Sequence, residues 1–396
     1  MQQLEVDQAA RGIVAIGISA FAVVTTEFII VGLLPLIAAD LAIPISTTGL
    51  LVSIYAFTVV PSAPILTALT SKLCRRNLLI GVLSLQIITN LLAAIAPNYT
   101  VLLIARIISA FSLAVFWSIA AIVAISLVPE HRRGWAISVV FAGISAANLF
   151  GIPLGTVIGQ SFGWRAAFAA LTGLGLLALV AIALFLPTPP KVLPPSLQTQ
   201  LRLLRQPQFL MSLAVSVAIA TGDFLAFTYL VPFLQQVTRL SGSGSSLMLL
   251  LFGIAGIVGN FAGGRAADRG VVQALLLTMG ALAVSFVGLS AIGTAPGAVV
   301  ALILLWGMAH AALFVEIQYR MIMLAPDATD TASALNVSII NTGIGLGAAL
   351  GSLVVENSGV RSVGWAGGLL ALVAIGLLLL SCRGTQPEST GKPRSL

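Results

Sequence analysis

Two carboxylates lie deep inside long apolar stretches of the sequence. Glu27 is near the middle of "VVTTEFIIVGLLP" (23–35), and Asp223 occupies a similar depth in "ATGDFLAFTYLVPF". An acid at the centre of a membrane helix costs about 2.5–3.5 kcal/mol on insertion scales, and such residues usually face an ion or substrate path. Burial disfavours the ionised form of a carboxyl group, so both residues are candidates for taking up and releasing a proton. For Glu27 the alternative is a structural acid, hydrogen-bonded to Thr25, Thr26 or a neighbouring helix; for Asp223 it is a satisfied polar contact.

Four further charged or titratable side chains fall inside apolar stretches. Arg106 must be paired or wetted: Glu27 is an attractive partner at a different predicted depth, and serine hydroxyls or backbone carbonyls are the alternative. His310 can titrate near neutral pH, yet a neutral histidine packed among helices fits the sequence as well. Glu316 and Arg320 are spaced i, i+4 and can pair, and near the cytoplasmic end of their helix we expect a solvated or gating ion pair.

Aromatic and amide side chains near the predicted helix midpoints complete the set of candidates. Aromatic faces with a few amides suit a neutral polyol or an amphipathic drug. Each of these residues fits core packing as well. The candidate cavity-lining residues are Tyr55, Trp117, Asn148, Phe227, Asn260, His310, Asn336 and Asn341.

Several kinds of chemistry have no counterpart in the sequence. It contains no GxxxxGK[ST] phosphate-binding loop, no GxSxG nucleophile elbow and no cysteine–histidine metal spacing. The two histidines, His131 and His310, are far apart. The sequence therefore predicts neither an enzyme nor an ATP-driven protein, and it requires no cofactor or metal. Energy for transport would come from an existing gradient, here of protons.

The apolar residues around these side chains are too numerous for a water-soluble fold. The 396-residue chain is 59% hydrophobic and 8% charged, against about 25% charged residues in soluble domains. Twelve continuous stretches reach the length of about 20 apolar residues that a membrane helix needs, unlike the short alternating segments of a β-barrel. The predicted spans are 13–39, 46–70, 77–96, 100–128, 134–160, 166–187, 209–238, 244–267, 271–292, 297–325, 330–355 and 361–382.

Basic residues are distributed unevenly between the two sides of the predicted bundle. With the N-terminus in the cytoplasm, fourteen arginines and lysines lie on the cytoplasmic side and three, Arg165, Arg239 and Arg361, on the outer side. This is the positive-inside asymmetry, so we expect both termini in the cytoplasm. The same distribution accounts for the net charge of +7 without a nucleic-acid partner. Cys74 and Cys382 both fall on the reducing side, so no disulfide is expected.

Short matches between the two halves of the chain indicate an internal duplication. "GIPLG" (151–155) has a counterpart in "GIGLG" (343–347), and "GWR" (163–165) has one in "GVR" (359–361). The offsets lie near half the chain length. Parallel repeats of six helices are a known transporter plan; the alternative is that glycine-rich helices look alike everywhere.

A proline-rich segment separates the two sets of six predicted helices. "LPTPPKVLPPSLQTQLRLLRQP" (186–207) is the longest polar interruption and is predicted to be a semi-rigid linker. The sequence thus predicts an all-α membrane protein of twelve transmembrane helices in two six-helix repeats. We place the first half at 1–187, a cytoplasmic linker at 188–208 and the second half at 209–396.

Two predicted spans carry glycines at four-residue spacing. The fifth-span stripe consists of Gly151, Gly155 and Gly159, and the eleventh-span stripe consists of Gly343, Gly347 and Gly351. Each set lies on one helix face, where small residues let helix backbones approach closely. Pro153 removes a backbone donor and is predicted to bend the fifth span. One interpretation is a sliding contact between the halves through these two spans; the alternative is ordinary helix packing.

The whole chain resembles the major facilitator superfamily. "SKLCRR" (71–76) stands where that family has its cytoplasmic loop motif, and "LIARIISAFSLA" (103–114) resembles its fourth-helix motif, with Arg106 in the arginine position. "LFGIPLGTVIGQSFGWRAAF" (149–168) resembles the fifth-helix motif of the drug:proton antiporter group. Within that group, "TTEFIIVGLLPLIA", "VFWSIAA" and "LAPDATD" are most similar to bacterial sugar (arabinose) efflux transporters of the SotB type.

The resemblance implies the major facilitator fold and a carrier of the bacterial inner (plasma) membrane that works by alternating access. It implies proton-coupled efflux, or antiport, of a small sugar or sugar-like molecule. A membrane-embedded acid in the first helix of the family supports Glu27 as the proton-coupling residue, whereas Asp223 is not supplied by the resemblance. The alternatives are a multidrug/proton antiporter and a proton-coupled importer. The expected partners are the substrate, protons and the lipid bilayer, and the chain is expected to be a monomer.

The loop motifs of the two halves are predicted to take part in gating. The candidates are Arg75 and Arg76 in the first half and Asp268 and Arg269 in the second. The family motif usually carries an aspartate and a glycine where this chain has Ser71 and Cys74. The conformational lock that the family implies for the first half is therefore altered here.

Overall fold

The computed structural model describes residues 2–70, 73–129, 132–187 and 202–383, which form helices joined by short turns. Residues 188–201 of the predicted linker, together with Ser71, Lys72 and His131, lie outside the described residues. The first half contains α1 (Gln2–Asp40), α2 (Ile45–Thr70), α3 (Arg75–Ala94), α4 (Tyr99–Ser126), α5 (Arg133–Ala146), α6 (Ile152–Phe162) and α7 (Trp164–Phe185). The second half contains α8 (Pro207–Thr228), α9 (Leu230–Gln236), α10 (Gly242–Ile292), α11 (Pro296–Leu324), α12 (Thr329–Ser358) and α13 (Val363–Arg383).

The predicted twelve-span, all-α architecture is confirmed. Eleven helices in the described ranges are long and apolar enough to cross a membrane, and no strand occurs in those ranges. One of the eleven, α10, has 51 residues and leaves helical geometry at Gly270, with φ 166° and ψ 97°. It therefore contains the eighth and ninth predicted spans. The seventh predicted span is also divided, because Tyr229 separates α8 from α9.

The fifth predicted span is interrupted by a π-helical turn rather than by a simple bend. Residues Ala147–Gly151 form this turn between α5 and α6, and the N–H of Ile152 bonds back to the carbonyl of Ala147. Pro153 follows at once. Because proline has no N–H and its ring crowds the carbonyl four residues earlier, a locally wider turn accommodates it without breaking the span.

Both glycine stripes pack within their own half of the molecule. A Cβ atom added to the fifth-span stripe would meet α1 at Thr25, Ile29 and Leu33. A Cβ atom added to the eleventh-span stripe would meet α8, with Gly347 facing Thr221 and Phe224. The stripes themselves therefore form close packing within each half, and the two spans contact the other half through other faces. Across the halves, the chief partner of α12 is α2, and that of α6 is α10.

The two halves approach each other closely at two equivalent points near the helix midpoints. A Cβ atom on Gly253 of α10 would meet the backbone of Asn148 and Leu149 in the π-helical turn, and one on Gly345 of α12 would meet the ring of Phe57 in α2. Gly345 lies 197 positions after Asn148, and Gly253 lies 196 positions after Phe57. The two contacts are therefore repeat mates. The same offset pairs Gly151 with Gly347. The match of "GIPLG" with "GIGLG" instead pairs Gly151 with Gly343, one helical turn earlier.

The "GWR" and "GVR" segments form equivalent corners. Gly163 (φ +87°) and Gly359 (φ +77°) take the left-handed backbone conformation that glycine tolerates. Arg165 then donates Nε and Nη2 to the carbonyl of Ala96, at 3.0 and 2.8 Å. Arg361 donates Nε to Ser290 at 2.7 Å and Nη2 to Ala291 at 2.9 Å. In each half the arginine thus caps carbonyls at the end of the third or ninth predicted span, which supports a true duplication.

Hydrogen bonds between the halves lie near one end of the bundle. We call this the Asp40 end, since α1 finishes there with Asp40. The Ser352 hydroxyl of α12 donates to the Ser46 carbonyl of α2 at 3.0 Å. The Gln160 amide of α6 donates to the Gly242 carbonyl of α10 at 2.9 Å, and the hydroxyl of Ser246 donates back to Gln160 at 3.4 Å. These three bonds hold the described helices together at this end.

Candidate functional site

Glu27 is buried near the centre of the first half. It is 6% exposed, and within the described ranges no hydrogen bond or ion pair involves its carboxylate. The hydroxyls of Thr25 and Thr26 donate instead to the carbonyls of Phe21 and Ala22, four residues earlier in α1. The alternative in which these threonines satisfy Glu27 is therefore wrong.

Arg106 of α4 binds the α1 backbone at the level of Glu27. Its Nη1 donates to the carbonyl of Thr26 at 2.6 Å and its Nη2 to the carbonyl of Glu27 at 2.9 Å. Its guanidinium carbon also lies 4.0 Å from the ring centroid of Tyr55 in α2, a cation–π contact. The backbone-carbonyl alternative is thus confirmed, and the predicted difference in depth is wrong. The guanidinium places positive charge beside Glu27 without bonding to its carboxylate.

Two amides of α3, which are not among the predicted candidates, complete this side of the site. Asn90 donates to the Thr26 hydroxyl at 3.1 Å, and Gln86 donates to the Ala22 carbonyl at 3.4 Å. Both side chains are buried. Gln86 and Asn90 are spaced i, i+4 inside an apolar span and so share one helix face, which was the available signal.

Asp223 of α8 is fully buried and has two partners on α11. The indole Nε1 of Trp306 donates to Oδ1 at 2.7 Å. Nδ1 of His310 lies 2.5 Å from Oδ2. The structure therefore brings Asp223 and His310 together, as part of a satisfied polar network. His310 is not an isolated histidine, and Trp306 is a member of the site that the sequence did not identify.

Aromatic rings lie close to the His310 imidazole. Ring centroids lie 5.6 Å away for Phe227, 5.2 Å for Phe252 and 4.9 Å for Phe314. The Phe227 ring is nearly parallel to the imidazole, at 25°. This wall places the Asp223–His310 pair beside apolar surface of the kind that binds amphipathic molecules.

The two acids occupy equivalent positions in the duplicated chain. Asp223 lies 196 positions after Glu27, and each acid is followed by a phenylalanine, Phe28 or Phe224. The rings of Phe28 and Phe224 stack on each other across the halves, with centroids 5.7 Å apart and planes 21° apart. The two acids therefore flank a shared aromatic pair. Their polar partners differ, since Arg106 serves the first half and Trp306 with His310 the second.

The remaining lining candidates fall into two groups. Trp117, Asn148 and Asn260 are half-buried. Asn336 and Asn341 are buried in α12. Asn336 donates to Oε1 of Gln318 at 2.8 Å, and Asn341 donates to the carbonyl of Val337 at 3.0 Å. Neither of these two amides is joined to Glu27 or Asp223 by a hydrogen bond.

The predicted ion pair between Glu316 and Arg320 is absent, although both residues are described. Glu316 is buried rather than solvated and accepts a hydrogen bond from Thr278 of α10 at 2.9 Å. Arg320 donates to the hydroxyls of Ser212 and Ser381, each at 2.8 Å. Each side chain extends toward a different neighbouring helix, and these tertiary partners replace the local pair.

The candidate gating residues lie at the end of the bundle opposite Asp40. Arg75 is buried at the start of α3, and Arg76 donates to the carbonyl of Ala183 at 2.6 Å. Asp268 is exposed. Arg269 donates to the carbonyl of Arg265 at 3.1 Å. Asp268 and Arg269 form no ion pair with each other.

Comparison with known proteins gives concordant matches over nearly the whole chain. The profile described as Major Facilitator Superfamily matches residues 16–338 and 213–395. An uncharacterized MFS-type transporter, YtbD, of Bacillus subtilis (strain 168) is 39% identical, covering 92% of this chain and 93% of its own. A probable sugar efflux transporter of Mannheimia succiniciproducens is 35% identical over 92% of this chain and 91% of its own. The inner membrane transport protein YdhP of Escherichia coli (strain K12) is 35% identical over 95% of this chain and 97% of its own.

A solved structure shares the fold at low sequence identity. A bacterial homolog to the human lysosomal transporter Spinster, in an inward-facing and unoccupied conformation, superposes with a TM-score of 0.76 at 16% identity. The match covers 95% of this chain and 97% of that chain.

Proposed function

Because the chain belongs to the major facilitator superfamily, and is thus a membrane transporter of small molecules rather than an enzyme, we propose that it exports a small sugar or sugar-like molecule in exchange for protons. The observation that carries the proposal is the Glu27 carboxyl group: it is buried, it bonds to no described residue, and it lies beside the guanidinium of Arg106. A buried acid without a fixed partner is free to bind and release a proton.

Arg106 is well placed to poise this group. Its hydrogen bonds go to two backbone carbonyls, so the guanidinium is anchored whether Glu27 is neutral or ionised. In the outward-open state Glu27 takes a proton and the substrate leaves; the halves then rock. In the inward-open state the proton is released and cytoplasmic substrate binds. Asp223 shares this coupling, because it is the buried acid at the equivalent position of the second half and contacts His310.

The substrate class is supported by the relative named as a probable sugar efflux transporter. The lining candidates combine aromatic faces with amides, a mixture that suits a neutral polyol. One proton moving across about 100 mV releases about 2.3 kcal/mol. That energy sustains roughly a fifty-fold gradient of a neutral molecule, at about 1.4 kcal/mol per factor of ten. No cofactor is needed beyond the proton gradient.

The proposal also includes the membrane in which the protein lies and its orientation there. A relative named as an inner membrane transport protein supports the bacterial inner membrane, and the asymmetry of basic residues supports cytoplasmic termini. The Asp40 end then faces outward. The cytoplasmic linker at 188–208 between two six-helix halves and the monomeric state belong to the same proposal.

Substrate-dependent proton flux in proteoliposomes tests the proposal. Purified protein is reconstituted with a pH-sensitive dye inside and challenged with arabinose, a thiogalactoside or a lipophilic cation. We expect proton movement opposite to sugar movement, and we expect Glu27→Gln to abolish uphill transport. Glu356→Gln is the matched control, because Glu356 is exposed near the end of α12. Uphill transport by Glu27→Gln at the wild-type rate would remove Glu27 from the mechanism.

A multidrug/proton antiporter is the second candidate, and the aromatic wall around His310 favours it. Stacked and edge-on rings at 4.9–5.6 Å offer a surface for lipophilic cations. The same liposomes decide: proton flux with lipophilic cations but not with sugars would assign this function. Proton movement in the same direction as the solute would instead indicate an importer.

A further inference from the structure

The two equivalent corners at the Asp40 end are filled differently. In the first half, Oδ2 of Asp40 accepts hydrogen bonds from Trp164 Nε1 at 3.0 Å and Arg165 Nη1 at 2.6 Å. The Arg165 guanidinium also lies over the Trp164 ring, 4.3 Å from its centroid. This corner therefore contains its own anion, and the indole fills the space beside it.

The second-half corner keeps the arginine and lacks the other two groups. Arg361 caps the carbonyls of Ser290 and Ala291 as Arg165 caps Ala96. At the offset of 196, however, Asp40 corresponds to Gln236, the last residue of α9, and Trp164 corresponds to Val360. A neutral amide thus replaces the carboxylate, and a small aliphatic side chain replaces the indole.

An open cavity of about 520 Å³ occupies this second corner. Its lining residues are Gln236, Val237, Thr238, Arg239, Thr294 and Arg361. The volume lies in the range of small-molecule sites, about 300–1,000 Å³. The position equivalent to Asp40 carries no negative charge to balance Arg361. A second guanidinium, that of Arg239, lines the same cavity.

Both guanidinium groups in the cavity have hydrogen-bonding capacity to spare. The hydrogen bonds of Arg361 use Nε and Nη2, which leaves Nη1 for a ligand. Among the described acidic residues, none forms an ion pair with Arg239 or Arg361. Two guanidinium groups that line one cavity, neither of them paired with a described acid, favour an anionic ligand.

We propose that this corner binds an oxyanion, a carboxylate or phosphate group, between Arg239 and Arg361. Guanidinium groups match the geometry of both oxyanions through paired N–H bonds. The bound group takes the role that Asp40 has in the first half. It comes either from a free anion in solution or from a phospholipid headgroup, because the corner lies where helices end. This site is independent of the proposed transport function.

Thermal melting of the full-length protein in nanodiscs tests the site. One arm titrates inorganic phosphate into phosphatidylcholine nanodiscs; the other compares phosphatidylcholine nanodiscs with and without phosphatidylglycerol. We expect stabilisation in at least one arm, and the responding arm identifies the source. Arg239→Gln should weaken the response about tenfold, since one charge-assisted hydrogen bond is lost. The control Arg205→Gln removes an equal charge from an exposed position before α8 and should respond like the wild type.

A second variant supplies the missing carboxylate from within the chain. Gln236→Glu has nearly the same size, is made at an exposed position, and should abolish the response to phosphate and to phosphatidylglycerol because its own carboxylate occupies the site. If neither anion stabilises the wild type, or if Arg239→Gln and Gln236→Glu both respond as Arg205→Gln does, the proposal is overturned. Should Arg239→Gln fail to fold, Gln236→Glu decides alone.

Discussion

The packing of α12 on α8 makes the substitution Gly347→Ala a sharp test of the fold. A Cβ atom at this position would lie 2.5 Å from the carbonyl oxygen of Thr221, 2.8 Å from the nitrogen of Leu225 and 3.1 Å from the carbonyl carbon of Phe224. All three atoms belong to the α8 backbone, which cannot rotate away as a side chain can. Gly376 of α13 is the matched control, because a Cβ atom there would meet nothing within 4 Å.

The expected effect follows from these distances. Non-bonded carbon atoms are most stable about 3.5–4.0 Å apart, so α12 and α8 must separate by roughly 0.5–1 Å. Overpacking of this kind destabilises by about 1–3 kcal/mol. Alanine also gains up to about 1 kcal/mol over glycine in a helix interior, and both variants share this gain. We therefore expect Gly347→Ala to be less stable than Gly376→Ala by about 1–3 kcal/mol.

Denaturant unfolding of the two purified variants in the same detergent measures this difference directly. Gly155→Ala should fall between them, since its Cβ atom would meet the flexible end of the Ile29 side chain. Equal free energies of unfolding for Gly347→Ala and Gly376→Ala would refute the close approach of the two backbones. They would also return the eleventh-span stripe to a role at the interface between the halves.

Three further predictions concern the polar contacts. Ser352→Ala removes a hydrogen bond between the halves worth about 0.5–1.5 kcal/mol. Spin-label distances should therefore show the Asp40 end open two- to tenfold more often, and Gln160→Ala should have a similar effect. Unchanged distances would contradict this prediction. Arg106→Lys keeps the charge but cannot span two carbonyls; we expect a loss of about 1.5–3 kcal/mol in unfolding free energy, and wild-type stability would argue against the anchoring role. His310→Phe removes one of the two partners of the buried Asp223 carboxylate and should lower the free energy of unfolding by about 3–5 kcal/mol. Adding Asp223→Asn should restore stability; if it does not, the loss does not come from the carboxylate.

The features that depend on local sequence could be predicted. Hydropathy places all twelve spans because a membrane helix satisfies its backbone within its own segment. Glu27 and Asp223 stand out because a charge in an apolar run needs no tertiary information to be noticed. The duplicated corners are also visible as "GWR" and "GVR", since a left-handed glycine and a capping arginine are local requirements.

Features that depend on which helices become neighbours could not be predicted. Arg106 meets a backbone 79 residues away, and Trp306 meets Asp223 at a separation of 83 residues. Spacing along one helix says nothing about such partners. For the same reason Glu316 and Arg320, correctly placed on one face, prefer donors and acceptors on other helices. The repeated acid–phenylalanine pair, by contrast, was detectable from the sequence at the offset of 196 that "GWR" and "GVR" give.

The two midpoint contacts between the halves define a line through the molecule. At one end of that line Gly253 rests against the π-helical turn, and at the other Gly345 rests against Phe57. Rotation about this line would leave both contacts nearly in place, because atoms on an axis do not travel. The three hydrogen bonds at the Asp40 end lie away from the helix midpoints and would have to part. The duplicated glycines thus mark the axis of this rotation. A bulky residue at either one would block the rotation without contacting Glu27 or Asp223.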